Sequence, residues 1–289
     1  MGEQCDRIVV GIDESARSVL AVEWAAREAE AAHLPLALVH GENDRYTTAV
    51  IDPGIVPALE LSTQQEDIWK LVEDSVEVAR RIAPNLTVMT HVETGSPVGV
   101  LCRQAESASM VVLGSEGSGL LAELVFGTVC GTLAVRGRAP VVAVREHPKP
   151  VADDAPVAVG VDGTEISVAA LDFAFRYANR HHVGVRAVHV MPPAAERDQA
   201  EQERRRWNTA DSLAEFANRY PHINIAVEFP TGDPVQVLAN TAGSSRLLVV
   251  GSRGRGVAAG LLSGSVSQAL LRHVRGPIAV VRKNLPARG

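Results

Sequence analysis

One glycine pattern occurs twice in this chain with the same internal spacing. The first copy is Gly114-Ser115-Glu116-Gly117, nine residues, then Gly127-Thr128. The second is Gly251-Ser252-Arg253-Gly254, nine residues, then Gly264-Ser265. They lie 137 residues apart, and each follows an apolar run, Met110–Leu113 or Leu247–Val250. A buried strand that hands over to a glycine-rich turn and then a helix can cradle phosphate. The glycines admit close backbone approach, and free N–H groups at the helix start bind the oxygens. Chance does not produce two such patterns at matched spacing, so the chain must fold as two copies of one sheet.

The repeat extends beyond the glycines. Val9–Ser15 (VVGIDES) matches Ala158–Thr164 (AVGVDGT) at an offset of 149. Gly95–Leu101 (GSPVGVL) matches Gly232–Leu238 (GDPVQVL), and Ala139–Arg145 (APVVAVR) matches Gly276–Arg282 (GPIAVVR), both at an offset of 137. The drop of 12 residues requires a deletion in the second copy, expected at Gly41–Gln65 against Met191–Gln202. A period this long means tandem domains rather than short stacked repeats. A chain of 289 residues suits two domains, each large enough to bury a core. The expected limits are 1–146 and 156–289, with a charged, proline-containing linker at 147–155.

Each copy alternates strand and helix. In the first, Arg7–Ile12 is a near-continuous apolar strand, as expected where both faces are covered. Ser15 is a natural N-cap, and Val19, Leu20, Val22, Ala26 and Ala29 form one apolar face of a helix ending near His33. Further strands are expected at Leu36–His40, Thr87–Glu93, Met110–Leu113 and Pro140–Arg145. Further helices are expected at Gln65–Ile82, Val98–Ala105 and Leu120–Val135. The second copy repeats this from Val157–Val161 to Ile278–Arg282. The expected class is α/β: two tandem doubly wound domains, each a mainly parallel five-stranded sheet with helices on both faces. Ligands on such sheets bind beyond the carboxyl ends of the strands, at the switch point. Asp13 with Gly114, and Asp162 with Gly251, end the strands that should meet there.

Composition excludes several classes. The net charge is −6 with 46 % hydrophobic residues, so broad attraction to nucleic acid or anionic membrane is not expected. Arg204–Arg206 sits among glutamates and reads as a solvated helix face. No segment has the length and apolarity of a membrane span. The first strand is expected to begin almost at once, so no signal peptide is expected. Cys5, Cys102 and Cys130 form no CxxC pair, which fits a reduced cytoplasm. No cluster has zinc-ligand spacing, and no metal ligand set is expected from the protein alone.

At the cradles, Gly114, Gly117, Gly127 and Thr128 supply the first copy. Gly251, Gly254, Gly264, Ser265 and Ser267 supply the second. The hydroxyls of Thr128, Ser265 and Ser267 can donate to phosphate or help hold Mg²⁺. The strand-one aspartates suit ribose hydroxyls or an adenine amine. The plainer alternative makes the glycines turn residues and the aspartates helix caps. The copies differ: Arg253 stands where Glu116 stands, and Ser267 where Cys130 stands. The second site is therefore expected to bind an anion more tightly. His40 and His189 end strand two, and His33 and His182 end helix one; with no nucleophile beside them they read as structural or adenine-pocket residues. Trp24 and Phe173 read as core.

The G-x2-G-x9-G-(S/T) pattern, the strand-one aspartate and the closing APVVAV/GPIAVV strand resemble the universal stress protein family. The whole chain looks like its tandem, ATP-binding form, common in actinobacteria. That resemblance implies an ATP-binding regulatory protein without fast turnover, acting in stress responses. It implies adenine against Asp13 and Gly41, or Asp162 and Val190, with Gly11 and Ile12, or Gly160 and Val161, alongside. Ribose would meet Asp13 and Gly114, or Asp162 and Gly251. Phosphates would meet Gly117 and Gly127, Thr128, Val129 and Cys130, or Arg253, Gly254, Gly264, Ser265, Val266 and Ser267. The family also pairs its fifth strands across a dimer. Here Pro140–Arg145 and Ile278–Arg282 are available to pair within one chain, burying two edges, and a further homodimer is expected.

Three functions compete. One is a nucleotide-sensing regulator. The second is a slow ATPase, or a phosphoryl or adenylyl transferase, against which stand the lack of a Walker A lysine motif, a GxSxG elbow and an evident general base. The third is a scaffold with decayed sites. No catalytic residue is assigned.

Overall fold

The computed structural model describes residues 7–42, 58–115, 129–134, 137–147, 149–191, 199–252 and 265–282. Two compact units emerge, residues 3–114 and 115–289.

The first unit contains β1 (Arg7–Gly11), α1 (Ala16–Ala32), β2 (Leu36–Glu42), α2 (Ala58–Ile82), β3 (Val88–Thr94), α3 (Pro97–Gln104) and β4 (Ala108–Gly114). Its strands run parallel in the order β3-β2-β1-β4. Ile8, Val9 and Val10 of β1 have no exposed surface, as a strand covered on both faces requires. Ser15 caps α1, its side chain accepting from Ser18 N, and His33 ends the helix in the left-handed region at φ 53°.

The buried face of α1 differs from the one expected. Ser18, Ala21, Val22, Ala25, Ala26 and Ala29 line it, whereas Val19 is 44 % exposed. Small residues let the helix lie close to the sheet, and this rotates bulky Val19 outward. Its repeat equivalent, Val168, is likewise exposed. Two element ends also move. Pairing of Gly41 and Glu42 with Glu93 and Thr94 lengthens β2 past His40. The helix-forming run Ala58–Gln65 starts α2 earlier than Gln65, because propensity extends a helix where the apolar period is not yet visible.

The second unit opens with Ser115, a helical stretch at 129–134 and β5 (Val141–Val144). There follow β6 (Val157–Gly160), α4 (Glu165–His181), β7 (Val185–Val188), α5 (Gln199–Arg219), β8 (Ile225–Glu228), α6 (Pro234–Ala242), β9 (Leu247–Gly251), α7 (Ser265–His273) and β10 (Ile278–Val281). The strand order is β5-β10-β9-β6-β7-β8. All neighbours are parallel except β5 and β10, which pair antiparallel. The closing strands of the two copies thus do pair within the chain.

Strand register locates the deletion. Ile8 pairs with Leu36, and Val157 with Val185, which keeps both members of each pair at the 149 offset. Leu36 then pairs with Val88, and Val185 with Ile225, which moves the outer strand to the 137 offset. The lost residues therefore lie between strands two and three. In the second unit, Phe175 of α4 stacks on Phe216 of α5 at 5.1 Å and on Tyr220 at 5.7 Å, an aromatic clamp that fixes α5 against α4.

Candidate functional site

In each copy the chain leaves strand one to one side and returns to pair on its other side. The switch point lies between β1 and β4 in the first unit and between β6 and β9 in the second. Sheets of this kind bind ligands beyond the carboxyl ends of the strands at such a point. Gly11 pairs with Leu113, one residue before Gly114. Val159 pairs with Val249, two residues before Gly251. Gly11-Ile12-Asp13 is thereby placed beside Gly114, and Gly160-Val161-Asp162 beside Gly251.

Both aspartates fold the turn into their helix in the same way. Asp13 Oδ1 accepts from Ser15 N at 3.0 Å and Ser15 Oγ at 2.5 Å. Asp162 Oδ1 accepts from Thr164 N at 3.0 Å, Thr164 Oγ1 at 2.6 Å and Ser167 Oγ at 2.6 Å. The N–H of each aspartate donates to Ser18 or Ser167 Oγ, at 3.1 and 2.9 Å. Turn-capping is thus real chemistry for these carboxylates, as the plainer expectation held. Asp13 is exposed and Asp162 half-buried.

The glycines serve close packing. A side chain on Gly11 would meet Leu113 and Leu101, and one on Gly160 would meet Leu238 and Val250. On Gly114 it would run into the backbone carbonyl of Arg17, and on Gly41 into the backbone of Pro97, 2.8 Å away. Gly251 is half-buried, as is Val190, which follows the buried His189.

Beyond the strands, Val129 and Cys130 open the helical stretch 129–134, Val129 half-buried and Cys130 fully buried. Burial pushes the Cys130 thiol up to about 12. In the second unit, Ser265 starts α7 and Val266 and Ser267 follow. Ser267 is buried, its Oγ 3.4 Å from the Ser252 carbonyl. Gly117, Gly127, Thr128, Arg253, Gly254 and Gly264, with Glu116, lie outside the described residues.

The histidines have structural partners. His40 Nδ1 lies 3.0 Å from the Ile12 carbonyl, next to Asp13. His189 Nδ1 lies 3.0 Å from Thr209 Oγ1 in a buried contact. His33 and His182 end their helices at φ 53° and 54°. Phe173 is core, while Trp24 is only half-buried. A cleft of about 410 Å³ opens beside Glu42, lined further by Ile68, Trp69, Thr90, His91, Val92 and Glu93. Hydrogen bonds from Arg103 and Gln104 hold the Glu93 carboxyl below its usual range.

Sequence reading missed Arg145. It is 8 % exposed and donates to Ser115 Oγ at 2.7 Å, Val274 O at 2.7 Å and Leu271 O at 2.5 Å. The only signal was an arginine repeated at the end of both closing strands, Arg145 and Arg282.

Among the described residues no group of three His, Cys, Asp or Glu side chains is placed to hold a metal, and no helix is long and apolar enough to cross a membrane.

A doubly wound sheet with an aspartate turn and a glycine-ended strand at each of two switch points defines a class of tandem α/β proteins. The family model for the universal stress protein family matches residues 5–145 and 155–282. The chain belongs to that family. It is 32 % identical over 292 residues to universal stress protein Rv2623 of Mycobacterium tuberculosis, covering 96 % of this chain and 97 % of the relative. A universal stress protein of Mycolicibacterium smegmatis is 33 % identical, covering 95 % and 96 %. The fold is similar to that of a universal stress protein from Archaeoglobus fulgidus, with a TM-score of 0.70 at 20 % identity, covering 96 % and 97 % of the two chains.

Proposed function

We propose that the chain is a nucleotide-sensing stress-response regulator that binds ATP, with Mg²⁺ on its phosphates, at both switch points and turns it over slowly or not at all. The observation that carries this is the repetition of one constellation. An aspartate-nucleated helix start lies beside a glycine-ended strand, twice in one chain. The residues present suit the ligand: small residues let phosphate approach the backbone, and the strand-end carboxylate suits ribose hydroxyls.

Within this proposal the domains are 1–146 and 156–289. Asp13 with Gly11, Ile12, Gly41 and Gly114 holds nucleoside in the first, with phosphates at Gly117 and Gly127 to Cys130. Asp162 with Gly160, Val161, Val190 and Gly251 does so in the second, with phosphates at Arg253, Gly254 and Gly264 to Ser267. The second site binds more tightly, since Arg253 replaces Glu116 and Ser267 replaces Cys130. The chain works in the cytoplasm, and a homodimer of it is its working form.

The test is mass spectrometry of nucleotide released on denaturation, with ATP titration of the wild type, Asp13→Ala and Asp162→Ala. Close to two intact ATP per chain, with one lost in each variant, supports the sensor. Release as ADP or AMP moves the assignment to the slow enzyme. No nucleotide and no binding leaves the scaffold.

A further inference from the structure

The antiparallel ribbon of β5 and β10 carries a hidden symmetry. Val142 pairs with Ala279, its own repeat equivalent at the 137 offset. A pseudo-two-fold therefore passes through this pair, and a contact made by one copy should recur from the other. It does so for the arginines at the two strand ends. Arg145 Nη1 donates to Val274 O at 2.7 Å, and Arg282 Nη1 donates to Gly137 O at 3.2 Å. Val274 and Gly137 are themselves equivalent, and each closes a helix through one backbone bond, Val274 N to Leu270 O and Gly137 N to Leu133 O.

Each arginine thus reaches across the ribbon to the carboxyl end of the other copy's last helix. Those carbonyls have no acceptor role inside the helix and carry its negative dipole end. A planar guanidinium can satisfy two of them at once, as Arg145 does with Val274 and Leu271. The same Arg145 binds Ser115 Oγ through Nε, directly after Gly114. The amino end of α7 holds Ser265, Val266 and Ser267 of the second cradle. With α7 only nine residues long, fixing one end fixes the other.

We propose that Arg145 is a positioning residue for the second nucleotide site, contributed by the first copy, and that Arg282 makes the reciprocal contact at the end of the helical stretch 129–134. The proposal rests on the nucleotide assignment above. It means that the second copy does not form its phosphate cradle by itself.

The experiment uses the full chain with Asp13→Ala as background, so that ATP titration reads the second site alone. Arg145→Gln is expected to weaken ATP binding there roughly 10-fold and to speed hydrogen exchange of the α7 amides. Arg145→Lys, which keeps the charge but not the fork, should lie between. Ser115→Ala, which removes only the hydroxyl bond, should leave the second site unchanged. Should Arg145→Gln not fold, Arg145→Lys decides by the same two readouts. Unchanged affinity in a folded variant overturns the proposal, whether or not exchange changes, and unchanged α7 exchange overturns the clamp itself. A failure of Asp13→Ala and wild type alike to bind ATP sinks the nucleotide assignment instead, and is distinguished by the wild-type titration.

Discussion

The carbonyl of Arg17, in the first turn of α1, fills the space where a side chain on Gly114 would stand. The start of α1 and the end of β4 are therefore in backbone contact, and that contact brings Asp13 to the glycine-ended strand. A carbonyl held in a helix cannot swing aside as a side chain can. Gly114→Ala is expected to lower stability by about 1–3 kcal/mol, read as a shift in the denaturant midpoint at unchanged slope. Gly131 provides the control. It lies in the helical stretch 129–134 with nothing among the described residues within 4 Å of an added methyl, so Gly131→Ala should stabilise by about 0.5–1 kcal/mol. Equal midpoints for the two variants would contradict the packing.

Asp162 nucleates its turn through one oxygen, which accepts three hydrogen bonds. Asparagine keeps a carbonyl that can accept all of them, and alanine keeps none. Asp162→Ala should cost about 1–2 kcal/mol, with Asp162→Asn close to wild type. Thermal melts that rank the two variants equally would remove the turn from the account.

His147 packs against Gly276, a residue at φ +109°, and its Nδ1 is buried without a hydrogen-bond partner. Burial holds the imidazole below its ordinary value, so the neutral ring is the one that fits. The unfolded chain takes up a proton near pH 6.5, and the folded chain only at lower pH. The contribution of His147 to stability is thus complete above that value and declines as pH falls below it. Wild type minus His147→Phe, compared by melting at pH 7.5 and 5.5, should show the wild type losing more on acidification. A pH-independent difference would refute the assignment.

Phe175 is fully buried between Phe216 and Tyr220. Phe175→Ala removes both ring contacts and leaves a cavity, at an expected cost of about 3–5 kcal/mol. Phe175→Leu should recover a large part of that. Chemical denaturation checks both, and a cost below 1 kcal/mol for alanine would mean that α5 closes over the gap.

Cys130, buried and with its thiol pushed up to about 12, presents no thiolate at neutral pH. It should resist alkylation in the native protein and react once the chain is denatured. Peptide mapping after iodoacetamide treatment at pH 8 gives the answer, and rapid native labelling of Cys130 would contradict its burial.

Much of this molecule is written in local pattern. The doubled glycine motif, the two offsets and the strand–helix alternation determined a tandem doubly wound fold, the position of the deletion and the placement of Asp13, Gly114, Asp162 and Gly251 at switch points. These follow from the sequence because strand and helix periods and turn residues are short-range properties, and because a repeat measures itself. Tertiary structure alone decided what the polar groups bind. The aspartates spend one oxygen on their own turns, Val19 rotates outward because alanines admit α1 close to the sheet, and α2 begins at Ala58 ahead of its apolar period. Arg145 was unremarkable as the last residue of an apolar strand. Its role exists only because β5 meets β10 antiparallel, which brings it to helix carbonyls more than 120 residues away in sequence.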